Sequence, residues 1–152
     1  MNSWRDNLKE YLEHITREPP FHLLELKSVK LKSGFQIKVV IDRENGFFSH
    51  DDCRLWSARI QDFIDRKNLI EDNYRLEVSS PGIGRPLKEK WEFVKNLQKN
   101  LSLEFTGEDG SVMNSSGLLK KVDDFGISVQ CKKADLNIAW QRLLKAQVKT
   151  PW

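Results

Sequence analysis

The chain has 152 residues, with 25 Lys and Arg against 22 Asp and Glu, for a formal net charge of +3. That length allows one medium domain or two small ones. Charged residues make up 31% and hydrophobic ones 39%, which excludes a disordered tail, a collagen-like repeat and a disulfide scaffold.

The first ten residues carry charges where a secretion signal needs its apolar core. The longest clean apolar run, Val39-Val40-Ile41, falls far short of a spanning helix. Cys53 and Cys131 stand far apart with no C-x-x-C spacing and read as free thiols in a reducing compartment. A cytoplasmic protein without a membrane partner is expected. Residues 1–86 hold 14 basic and 14 acidic side chains, whereas 87–152 hold 11 and 8, so the positive excess sits in the second part and is almost all lysine. This bias is milder than that of an autonomous nucleic-acid binder.

In chain order, Trp4, Leu8, Tyr11, Leu12 and Ile15 recur at helical spacing after Ser3, a suitable N-cap, and Pro19-Pro20 stops the helix. From Phe21 to Lys32 the chain reads as a strand. Its apolar parity switches between Leu24, Leu26 and Val29, Leu31, which predicts a bulge or bend. Ser33-Gly34 turns into a second strand with Phe35, Ile37, Val39 and Ile41 alternating, so the two form a hairpin. Ser49 opens a helix with Asp52 three residues on, a variant capping box, and Cys53, Trp56, Ile60, Phe63 and Ile64 form its apolar stripe. Tyr74, Leu76 and Val78 alternate as a third strand, with Arg75, Glu77 and Ser79 on its other face. The order α-β-β-α-β predicts a two-layer α+β domain.

After Pro86, a short helix is expected over Lys88 to Leu97, with Trp91, Val94 and Leu97 as its apolar face. Strand-like runs follow at Leu101–Phe105, Gly117–Val122, Ile127–Cys131, Asn137–Trp140 and Leu144–Val148. Five short strands with turn signals between them predict a small β-barrel.

Residues 74–87, YRLEVSSPGIGRPL, carry the distinctive motif. Ser80-Pro81-Gly82-Ile83 fits a type II turn with Gly82 at positive φ, and Gly84 adds a second permissive site. The segment can be a plain interdomain turn. It can also be a rigid presentation of Arg85, the Ser79 and Ser80 hydroxyls and the exposed amides toward RNA phosphate or a protein surface.

This segment resembles the signature of the bacterial RimP family of ribosome maturation factors: a tyrosine, Leu-Glu-Val-Ser-Ser-Pro-Gly, two variable positions, then Arg-Pro-Leu. The match is carried by Tyr74, Leu76, Glu77, Val78, Ser79, Ser80, Pro81, Gly82, Arg85, Pro86 and Leu87. It departs at Gly84, where the family usually has Asp. The stretch from Val39 to Asp65 and the closing Leu-Lys-Ala-Gln-Val-Lys are also similar to the family. The resemblance implies a KH-like domain over 1–84 and a C-terminal Sm-like β-barrel over 85–152. It implies a non-catalytic assembly factor that binds the immature small ribosomal subunit through a small-subunit ribosomal protein and neighbouring rRNA. A stand-alone RNA-binding regulator using the barrel is the alternative.

The binding residues expected on these grounds are Arg75, Glu77, Ser79, Ser80, Gly82 and Arg85. To these are added Lys120, Lys121, Lys132 and Lys133, which pairing across the turn at Asp124-Phe125-Gly126 could gather into one phosphate-binding patch or leave as a solvated face. Gly107-Glu108-Asp109-Gly110 has the G-x-x-G form but follows a strand and carries two acids, so it reads as a hairpin turn rather than a phosphate clamp. Trp4 and Trp56 belong to helix stripes, while Trp140 and Trp152 are not fixed by pattern and Trp152 could meet a partner. His14, His22 and His50 are scattered without ligand spacing. No nucleophile or Walker motif is present, so neither catalysis nor a cofactor or metal is expected. Nothing points to an obligate dimer.

Overall fold

The computed structural model describes residues 3–17, 20–82 and 84–149. The expected helix stop at Pro19 and the terminal Trp152 lie outside them. The protein is α+β, and the chain divides into two compact units, Met1–Pro81 and Gly82–Trp152.

The first unit runs α1 (Trp4–Ile15), β1 (Phe21–Leu31), β2 (Gly34–Arg43), α2 (His50–Arg66) and β3 (Tyr74–Ser79). Ser3 caps α1 by accepting from the Asp6 amide. Ser49 and Asp52 close a reciprocal capping box on α2, with each side chain accepting the other's backbone N–H. The hydrogen bond from the Ser49 amide leads the interactions that hold the Asp52 carboxyl below its usual range.

The sheet order is β1-β2-β3, with β1 antiparallel and β3 parallel to β2. Both helices share one face of it. Leu8 and Leu12 of α1 and Trp56, Ile60 and Ile64 of α2 are buried with Ile37, Val39 and Ile41 of β2. Aromatic pairs close the margins: Tyr11 stacks on Phe63 with ring centres 3.9 Å apart, and Trp4 meets Phe35 edge-on.

The irregularity in β1 lies earlier than its apolar pattern suggests. Leu23 pairs with Ile41 and Glu25 with Val40, so Leu24 is the bulged residue. The bulge moves the core face from Phe21 and Leu23 to Leu26, Ser28 and Lys30. Val29 and Leu31 therefore turn to the opposite face, where they are exposed. Their apolar character marks no second core face.

The second unit runs α3 (Lys90–Lys95), β4 (Asn100–Thr106), β5 (Val112–Val122), β6 (Gly126–Gln130), β7 (Asp135–Ala139), a 3-10 turn at Trp140–Arg142, and β8 (Leu143–Val148). α3 is shorter than expected, and its buried apolar residue is Phe93, while Val94 and Leu97 are exposed. Phe93 meets Trp140 edge-on at 5.1 Å, and the Trp140 indole N–H donates to the Asp123 carbonyl at 3.0 Å. Trp140 is thus tied to the core. Glu92 is buried but satisfied, because its carboxylate accepts the Lys88 and Glu89 amides.

The expected closed barrel is not what the hydrogen bonding forms. The ladder runs β7-β6-β5-β4-β8 and ends at β7 and β8, which do not pair with each other. Arg142 Nε donates to the Thr106 carbonyl at 2.8 Å, which holds the 3-10 turn to the end of β4. β8 is thereby delivered to β4 rather than back to β7. The sheet curves through irregularities at Glu104/Phe105 and Leu119/Lys121 around Leu101, Leu103, Phe105, Leu119, Ile127, Val129 and Ile138.

Gly126, where the β5–β6 turn enters β6, faces β7 so closely that a Cβ there would lie 1.9 Å from the Ile138 carbonyl oxygen. Gly126→Ala is expected to cost roughly 2 kcal/mol through forced displacement of β7, measured as a drop in the urea midpoint.

Candidate functional site

β3 fixes the first group of candidate residues. Tyr74, Leu76 and Val78 pack against the core. Arg75, Glu77 and Ser79 must then point to the face of the sheet that carries no helix. In register beside them on β2 stand Gln36, Lys38 and Val40. Lys38 has Glu77 on one side and Lys27 on the other, and Lys27 Nζ lies 2.8 Å from Glu25. The helix-free face therefore carries charges of both signs, Glu25, Lys27, Lys38, Arg75 and Glu77, beside the apolar Val29, Leu31 and Val40. The Tyr74 hydroxyl donates to Asp65 at 2.8 Å and pins the start of β3 to the end of α2.

Ser79 and Ser80 end the first unit, and Gly82 and Arg85 begin the second. The turn there is not the expected one. Gly82 does not have positive φ. Gly84 does, at +88°, and the Arg85 N–H reaches the Gly82 carbonyl at 3.4 Å. The permissive glycine is thus the third residue of a Gly82–Arg85 turn, two positions later than the Ser-Pro-Gly pattern suggests. The backbone on either side of Arg85 is held by β8. Gln147 Nε2 donates to the Gly84 carbonyl at 2.6 Å, and the Leu87 N–H donates to the Ala146 carbonyl at 2.8 Å.

Residues 11–84 match the family model of the RimP N-terminal domain. This places residues 11–84 in the RimP family. Most of the Tyr74–Leu87 motif lies inside the matched region, and Arg85, Pro86 and Leu87 continue it into the second unit. RimP proteins are ribosome maturation factors, so the chain's role lies in ribosome biogenesis.

The four lysines, which lie outside the matched region, do not form one patch. Lys120 occupies the irregularity between Leu119 and Lys121, and Lys121 pairs with Ser128 near the β5–β6 turn. Lys132 and Lys133 lie in the turn at the other end of β6, where the Cys131 N–H donates to the Ala134 carbonyl. The hairpin pairs Leu118 with Gln130, so a residue beyond Gln130 is carried away from Lys120 rather than toward it. At the β5–β6 tip the Asp123 carboxylate accepts the Phe125 and Gly126 amides at 2.9 and 3.0 Å, which hold its pKa below the usual range. Lys121 Nζ stands 3.7 Å from the same carboxylate. Gly107–Gly110 is a hairpin turn, with its acid Asp109 bound by the Ser111 amide and hydroxyl.

Sequence reasoning missed one feature. β5 starts at Val112, five residues before the expected strand, and its first half borders an open cleft of about 1730 Å³. Phe105, Met113, Cys131, Leu136 and Val148 supply its apolar lining, and Lys132 and Lys133 are part of its wall.

Three outcomes follow from this geometry. Gly82→Val is expected to leave the melting temperature within the range of a neutral surface change, since a Cβ at Gly82 meets nothing within 4 Å and φ is not positive. Gly84→Val forces a β-branched residue to positive φ and is expected to cost about 1–2 kcal/mol. Burial, then the hydrogen bond and charge of Asp65, push the Tyr74 phenol up to about 12. Below pH ~10 this tyrosine is protonated in both folded and unfolded chains. Above that the unfolded chain loses the proton first, so stability falls as pH rises toward 12. Tyr74→Phe is expected to flatten that alkaline decline, as measured by urea unfolding at stepped pH.

Proposed function

We propose that this chain binds the immature small ribosomal subunit and assists its maturation by binding alone, in the cytoplasm and as a monomer. The match of residues 11–84 to the RimP N-terminal domain carries this reading. The 1–84 domain is KH-like and the 85–152 domain Sm-like. The open five-stranded sheet with its last strand beside its first supports the second assignment. The partners are a small-subunit ribosomal protein and the rRNA around it.

Arg75, Glu77 and Ser79 form the recognition face of the first unit in this reading; Ser80, at the end of that unit, and Gly82 and Arg85, at the start of the second, are further binding residues of the motif. A face that carries charges of both signs suits a partner surface that offers both signs and sets orientation more than affinity. Lys120 and Lys121 add phosphate contacts from the β5–β6 turn, whereas Lys132 and Lys133 stand apart from them. A factor of this kind shifts the subunit's conformation only by its preference for the immature form. The mild net charge fits a binder that must also leave.

Co-sedimentation tests this. The protein is expected to pellet with free small subunits from assembling cells and not with full ribosomes. Arg75→Ala and Arg85→Ala are each expected to weaken that binding by about 1 kcal/mol per folded molecule, roughly fivefold in affinity. Equal binding to any single-stranded RNA, with steep salt dependence, would instead identify a stand-alone RNA-binding regulator.

A further inference from the structure

β5 and β6 differ in length, and the difference leaves a strand edge open. β5 runs for 11 residues and β6 for 5. β4 pairs with β5 from Val112 through Leu118, but β6 joins β5 only from Leu118 onward. Among the described residues, Val112–Gly117 therefore has backbone partners on one side alone. Proteins usually guard such an edge with proline, lysine or shortness. This segment, Val-Met-Asn-Ser-Ser-Gly, has no proline or charge.

The same edge borders the large cleft, which Met113 through Gly117 help to line. Met113 pairs with Phe105 and Ser115 with Leu103, so Met113, Ser115 and Gly117 share the inner face. Ser115 is too small to fill it, and space is left beside Cys131, Leu136 and Val148, whereas at Gly117 the face is closed by the Gln130 carbonyl and the Val129 side chain. The charge around this space is lopsided. Five Lys and Arg and two acids line the cleft, a local excess of three. Of the two acids, Asp109 is already bound by Ser111. Lys132 and Lys133 are exposed and have no ion pair among the described residues.

We infer that the cleft takes an extended acidic peptide, which adds as a further strand beside Val112–Gly117, places alternate apolar side chains in the cleft and turns its carboxylates to Lys132 and Lys133. An unpaired strand edge is satisfied by another peptide backbone, with side-chain pockets giving specificity at every second position. Nucleic acid fits less well. Phe105 is the one aromatic side chain in the lining among the described residues, and at 4% exposure it offers no stacking platform for bases. The inference stands independently of the ribosomal reading, since it uses neither the helix-free face nor the Gly82–Arg85 turn.

The test titrates the full chain with a synthetic peptide alternating valine and glutamate, followed by amide NMR and hydrogen exchange. Saturable binding is expected, with new exchange protection on Val112–Gly117. Joint Lys132→Glu and Lys133→Glu substitution is expected to weaken it by about tenfold. Ser115→Leu, which fills the inner face, is expected to weaken it comparably, with an unchanged circular dichroism spectrum confirming the fold for both variants. Absence of binding would overturn the inference. So would equal binding of a valine–lysine peptide, insensitivity to the charge reversals, or protection of the same amides by oligouridylate.

Discussion

Along β3 every second side chain is committed to the core, and that commitment decides what the opposite face can present. Tyr74, Leu76 and Val78 lie under α2, and α2 lies there because Trp56, Ile60 and Ile64 are buried against β2. Each such burial is worth about 1.5–3 kcal/mol. A one-residue slip of β3 would expose Leu76 and Val78 while burying Arg75 and Glu77. The register is therefore fixed by apolar packing, and the charges of the helix-free face are held in place by the buried side chains of the opposite face. The hydrogen bond from Tyr74 to Asp65 reinforces the same register at the strand's first residue.

The segment after β3 follows a different logic. Its backbone, not its side chains, is what the fold secures. Gly84 takes a positive φ and β8 accepts or supplies a hydrogen bond on either side of Arg85. A residue held this way loses little further backbone freedom on meeting a partner. The family's usual Asp at position 84 is among the few residue types that tolerate positive φ. Glycine here takes a positive φ of 88° and carries no carboxylate.

Legibility in the sequence followed the strength of local signals. Ser3, Ser49 and Asp52 announced their helices because capping chemistry is confined to a few neighbouring residues. β2 and β3 were legible from strict alternation over a half-buried surface. The bulge was misplaced because Val29 and Leu31 are apolar yet exposed, and sequence alone does not say which face of a strand has a partner. The first half of β5 was missed because Asn114, Ser115 and Ser116 lack any apolar alternation, and that half is paired on one side only. Phe93 went unnoticed because α3 is too short for a helical stripe to develop. The lysine grouping failed because proximity in a hairpin depends on which residues are paired across it. The motif at residues 74–87 identified the candidate site's location, but its turn geometry depended on Gly84 and on bonds to β8 from more than sixty positions away.

The bulge in β1 has a consequence for chain length. On either side of Leu24 the pairing is that of an uninterrupted hairpin: Leu23 faces Ile41, and Glu25 faces the next residue back, Val40. Leu24 is thus the residue that the register shift steps over. A chain one residue shorter at this point would keep the register pairs on either side of it. Sequences that differ here by a single insertion or deletion can therefore share one architecture, and an alignment gap opposite Leu24 would mark no change of fold.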